Sequence, residues 1–132
     1  MLEKFKDISE RQFSNRLEKY TNKLMEQFPE GAKNNWGTAR KAINVFLENA
    51  FYNRVLAKKY KLDKLETFLE LPLDSNVIRK LKKHAGRGNL PRWNGIMDLK
   101  PEDDEKFQKY AKDLANKKGF SRIHLDLEFW RP

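Results

Sequence analysis

Apolar residues recur along most of this chain at spacings of three and four, the period of a helix with one buried face. Over residues 5–28 they fall at Phe5, Ile8, Phe13, Leu17, Tyr20, Leu24, Met25 and Phe28, with charges between them. Asp7 or Ser9 suits the cap of this helix, with a break there as the alternative. Residues 29–35 (Pro-Glu-Gly-Ala-Lys-Asn-Asn) are a loop by composition. A long helix is then expected from Trp36 or Thr38 to Tyr60. Its apolar face (Ala39, Ile43, Phe46, Leu47, Ala50, Phe51, Val55, Leu56) is broad enough for a central helix packed on more than one side. Asn44, Asn49 and Asn53 interrupt that helix and need partners wherever they are buried.

A short helix is expected over 62–69, and a second one over 75–85 after Pro72. Residues 86–96, with three glycines and a proline, form the most loop-like stretch. Pro101 suits the first turn of a further helix, followed by acids where the helix dipole favours them, and Gly119 suits its end. Residues 120–130 instead alternate with period two: Ile123, Leu125, Leu127 and Phe129 against Arg122, His124, Asp126 and Glu128. That is strand-like, yet no second strand is evident to pair with it, so an extended tail over the helices or a short final helix is expected. The pattern predicts a mainly α protein: one domain over 1–132, a compact bundle of about five helices with an extended C-terminal segment.

Composition narrows the function classes. With 39% apolar residues spread along 132 positions, the chain can bury a core. It has no cysteine, which excludes disulfides, thiolate zinc sites and cysteine-held iron–sulfur clusters, and fits a reducing compartment. No apolar run reaches membrane-spanning length, and the first residues lack the apolar core of a signal peptide. The expectation is a cytoplasmic protein, nucleoid-associated if it binds DNA, with no membrane partner and no cofactor.

Charge points to a partner. The net charge is +9, and it is segregated. Between Arg79 and Arg92 lie Arg79, Lys80, Lys82, Lys83, Arg87 and Arg92 with no acid among them, while Glu102-Asp103-Asp104-Glu105 forms an acidic block. A basic helix followed by a glycine loop can hold phosphates with side chains and backbone N–H groups, and Trp93 in that loop can stack on or wedge beside a displaced base. The plainer alternative is a solvated face with a core tryptophan.

Residues 69–83 join these threads: an apolar run reaches Pro72, and Asp74 then opens the basic helix. Asp74 suits the N-cap of that helix, whose backbone N–H groups its side chain can accept. The segment Pro72-Leu73-Asp74-Ser75-Asn76-Val77-x-Arg79-x-Leu81 also resembles the aspartate segment of helix-hairpin-helix (HhH-GPD) DNA glycosylases, in which Pro-x-Asp-x-x-Val-x-Arg carries the catalytic carboxylate. Trp36-Gly37-Thr38-Ala39-Arg40-Lys41-Ala42, with Asp74 33 positions after Lys41, resembles the lysine–aspartate arrangement of archaeal 8-oxoguanine glycosylases in that superfamily. The likeness covers about residues 36–83; the glycine hairpin signature of the family is represented only by Gly31 and Gly37. It implies DNA binding, Asp74 as the carboxylate that stabilises a cationic sugar, and Lys41 as an amine that forms a Schiff base. Read as a solvated helix lysine, Lys41 has no such role.

His124-x-Asp126-x-Glu128 offers a rival. On a strand the three share a face and have metal-ligand chemistry, as a metal-dependent nuclease would need, or they form a salt-bridged surface. The function expected is a DNA-binding protein resembling a glycosylase/AP lyase core, excising a damaged base. Its alternatives are a non-catalytic nucleic-acid-binding module, a metal-dependent nuclease, and a protein-interaction module using the acidic block or the aromatic C-terminus.

Overall fold

The computed structural model describes residues 1–130 of the chain. It contains α1 (Glu10–Glu26), α2 (Trp36–Tyr52), α3 (Arg54–Lys59), α4 (Ser75–Ala85), α5 (Pro101–Lys118) and α6 (Leu125–Phe129). Short 3-10 turns occupy Leu2–Phe5, Leu62–Leu65, Ile96–Asp98 and Arg122–His124, and no strand occurs among the described residues. The mainly α class read from the periodicity is borne out.

Local chemistry explains most helix ends. Ser9 caps α1 in a capping box: its side chain accepts from the Gln12 N–H, and the Gln12 side chain accepts from the Ser9 N–H. Asp7, at φ 54°, turns the chain out of the preceding 3-10 turn, so the break expected near Asp7 is present. Pro101 opens α5, and Gly119 ends it in the left-handed conformation (φ 88°, ψ 22°).

Three expectations change. The long helix over 36–60 is two helices, because Asn53 is extended (φ −83°, ψ 113°) and its side chain caps α3 by accepting from the Leu56 N–H. The helix over 62–69 shrinks to a 3-10 turn, entered through left-handed Lys61. The C-terminal segment is not extended but takes the short-helix form. With no partner strand, the backbone satisfies itself by helical bonds, so Leu125 and Phe129, four apart, are buried while Leu127 points outward.

The buried side chains fall into two clusters that meet along α2. Ile43, Leu47 and Ala50 of α2 pack with Phe5, Phe13, Leu17, Leu62, Leu65, Leu69 and Ile123. Trp36, at the other end of α2, packs with Leu71, Leu73, Val77, Ile78, Leu81, Phe107 and Phe129. This second cluster places α4 and its entry segment against α5.

Gly37 shows how close α2 comes to the 96–99 turn. A Cβ there would lie 2.2 Å from the Ile96 carbonyl oxygen and 2.7 Å from the Leu99 Cβ. Only glycine lets this helix and turn meet.

Candidate nucleic-acid interface

The segment leading to Asp74 has no helix of its own. Residues 69–74 are irregular, and Leu69, Leu71 and Leu73 are buried. Its backbone polar groups therefore need partners from elsewhere. Gln108 of α5 supplies two: its side chain accepts from the Leu71 N–H at 2.9 Å and donates to the Leu71 carbonyl at 2.8 Å. Arg122 donates to the carbonyls of Leu69 (2.8 Å) and Phe68 (3.0 Å). The Glu70 side chain accepts from Asn44 at 3.1 Å and from Arg40 at 3.4 Å, both on α2. Side chains from three elements thus hold this stretch in place.

Arg40, Glu70, Gln108 and Arg122 line a cleft of about 620 Å³ that also includes Glu18, Trp36 and Asp104. Arg40 is buried, lies 4.6 Å from the centre of the Trp36 ring, and also pairs with Glu18. Asp104, only 4% exposed, accepts from Gln108 at 3.2 Å. Burial first, and the nearby charge of Glu70 second, push its carboxyl up to about 8, well above the usual aspartate range. Burial also lowers the Arg122 guanidinium from its ordinary value.

Asp74 closes the clamped segment and caps α4, accepting from the Val77 N–H at 2.8 Å. Lys41, half-buried on α2, makes no ion pair with Asp74; among the described residues neither pairs with any opposite charge within 4 Å. Trp36 at the start of α2 shares one buried cluster with Leu73, just before the cap, and with Val77, whose N–H the cap accepts.

Beyond Asp74, α4 turns Val77, Ile78 and Leu81 inward. Arg79 and Lys83, four apart, stand exposed on the opposite side, with Lys80 and Lys82 half-buried on the flanks. Arg79 donates to Asn76 of the same helix at 2.5 Å. Arg87 and Arg92 are exposed in the following loop. Among the described residues, none of Arg79, Lys80, Lys82, Lys83, Arg87 and Arg92 has a carboxylate within 4 Å. Trp93 is half-buried, edge-on to Phe107, and donates its indole N–H to the Ser75 hydroxyl at 3.0 Å. It ties the loop to the start of α4 and presents only part of its ring to solvent.

His124, Asp126 and Glu128 are not brought together. His124 Nδ1 meets the Tyr52 hydroxyl at 2.8 Å and its Nε2 lies 3.6 Å from Glu66. Asp126 sits against Glu48, whose carboxyl is pushed up to about 8 by burial first and by that neighbour second. Glu128 pairs with Lys118 at 2.6 Å. Among the described residues, no group of three or more His, Asp or Glu side chains is arranged to hold a metal ion.

The clamp residues Arg40, Glu70, Asp104, Gln108 and Arg122 carry no spacing signal in the sequence. One hint was legible: Asn44, flagged as needing a partner if buried, is buried and finds Glu70. No helix among the described residues is long and apolar enough to cross a membrane.

Compared with protein families, curated proteins and solved structures, the chain matches none. The likeness to helix-hairpin-helix glycosylases therefore stands on its own residues.

Proposed function

We propose that this chain binds DNA through the outer face of α4 and the loop behind it, and that it excises a damaged base there as a glycosylase. The observation that carries the proposal is the set of six cations from Arg79 to Arg92, none paired with a carboxylate among the described residues. Intramolecular ion pairs do not consume these charges, so phosphates can take them with release of counterions. The chemical half is supported by the position of Asp74 at the root of the same helix, on a segment held by Gln108, Arg122 and Arg40.

In this reading a nucleotide leaves the stack, at a cost of a few kcal/mol. The Asp74 carboxylate stabilises the cationic sugar as the N-glycosidic bond breaks and the base departs with the bonding pair. The Lys41 amine bonds to the anomeric carbon that the base has left and gives up its proton. The ring oxygen takes a proton as the sugar opens to a Schiff base, and loss of the C2′ proton then expels the 3′-phosphate and breaks the strand. One observation favours a binding-only module instead: an Asp74 oxygen is already engaged by the Val77 N–H.

An end-labelled duplex panel in chelator tests the proposal: 8-oxoguanine, uracil, alkylated bases and abasic sites, each with and without hot alkali. Alkali-labile cleavage lost in Asp74→Asn supports glycosylase action, and cleavage without alkali lost in Lys41→Gln supports lyase action. An uncut panel with salt-dependent binding leaves the binding module alone. A chain that binds no duplex ends the nucleic-acid reading.

A further inference from the structure

We infer that the recess between α4, the end of α5 and α6 is a seat for one DNA backbone phosphodiester, occupied in the free protein by the chain's own Glu128 carboxylate. This rests on the DNA-binding reading above and assigns it a particular contact. The recess, of about 330 Å³, is lined by Lys80, Lys83, His84, Lys118, Glu128 and Phe129. Lys80, Lys83 and His84 are three and four apart on α4, so they share one side of the helix. Lys118 reaches in from the last turn of α5. The buried Phe129 ring stacks on His84 with 6.2 Å between centres, giving the recess an apolar wall.

Charge then selects the occupant. Three lysines and a single carboxylate line the recess, and Glu128 satisfies only Lys118, at 2.6 Å. Lys80 and Lys83 have no carboxylate within 4 Å among the described residues. A phosphodiester has the same single charge on two free oxygens as the carboxylate, but it is not tethered to α6, so it can settle between Lys118 and the α4 lysines where Glu128 reaches Lys118 alone. A lysine ammonium binds such a group as a point charge without demanding a fixed fork geometry. The phosphate takes the place of Glu128 on Lys118, and the freed carboxylate turns to solvent, where it is one-third exposed already. Lys118 lies outside the basic run of the sequence, so the site joins two distant stretches of chain.

Duplex binding followed by fluorescence anisotropy over a range of salt tests the seat. Lys118→Gln and Lys83→Gln should each reduce the slope of log affinity against log salt by about one. Lys19→Gln, exposed on α1, should leave it unchanged. Glu128→Gln should tighten binding roughly two- to fivefold at low salt, the range of a partly exposed ion pair. Thermal melts confirm that each variant is folded. A Glu128→Gln protein with unchanged or weakened affinity, in a chain that still binds duplex with a steep salt slope, overturns the seat and spares the DNA reading. Loss of all duplex binding by the unaltered protein overturns both. Equal affinity for duplexes with and without a 5′-phosphate supports a backbone group; a requirement for the terminal phosphate overturns that assignment.

Discussion

The Gln108 side chain pairs with both backbone groups of Leu71, accepting at 2.9 Å and donating at 2.8 Å, so one amide does for this residue what a neighbouring strand does in a sheet. Leu71 is fully buried, and neither group has water to fall back on. Gln108→Leu keeps much of the volume and strands a buried donor and a buried acceptor, each costing about 1–3 kcal/mol. Urea unfolding should show a loss of roughly 2–5 kcal/mol. A loss below about 1 kcal/mol would mean that the segment finds other partners.

The same side chain touches Asp104, and that contact predicts a pH dependence. In the unfolded chain Asp104 titrates near the usual aspartate value; in the fold it is pushed up to about 8 by burial and by Glu70. Below the unfolded value both states hold the proton and the group costs nothing. As pH rises from about 4 the unfolded state loses its proton first, so stability falls until about pH 8, beyond which the full penalty applies. Asp104→Asn keeps an oxygen for Gln108 and has no charge to bury. Its melting temperature should rise above that of the parent at pH 8 by more than at pH 5. Equal gains at both would locate the effect elsewhere.

These two residues mark the limit of what the sequence alone discloses. Ser9, Asp74, Pro101 and Gly119 are local signals, acting within a turn of where they stand, and the helix ends they announce are present. The basic face of α4 was readable for the same reason. Asn53 misled because the apolar pattern runs on through Val55, which is in fact 74% exposed, while the asparagine side chain quietly starts a new helix. The clamp could not be read at all. Arg40, Glu70, Gln108 and Arg122 lie 82 positions apart end to end and meet only once the helices have packed.

Gly37 carries a prediction of the opposite kind, from space rather than charge. In an exposed helix Gly→Ala would stabilise by roughly 1 kcal/mol. Here the added methyl would meet the Ile96 carbonyl at 2.2 Å, a backbone atom that moves only with its turn. Gly37→Ala should therefore destabilise by roughly 1–3 kcal/mol, the range for overpacking. The 96–99 turn would shift, and Leu99 and Trp93, which pack in the same cluster, should shift with it. Tryptophan fluorescence during unfolding reads both. A stabilised Gly37→Ala protein would show that the helix and turn do not approach so closely.

Asp74 is where structure and proposed chemistry must be separated, because one carboxylate serves both. As a cap it accepts from the Val77 N–H, and Asp74→Ala should cost about 1 kcal/mol for that bond alone. Asparagine caps about as well as aspartate, so Asp74→Asn should unfold within about 0.5 kcal/mol of the parent. It would also bind duplex with the same salt slope, since no phosphate contact is removed. Asparagine cannot supply the negative charge that a cationic sugar needs. If Asp74 is the catalytic carboxylate, base excision should fall by roughly a hundredfold or more in Asp74→Asn while stability and binding hold. An Asp74→Asn protein that still excises the base at the parent rate would leave this residue as a cap and nothing further.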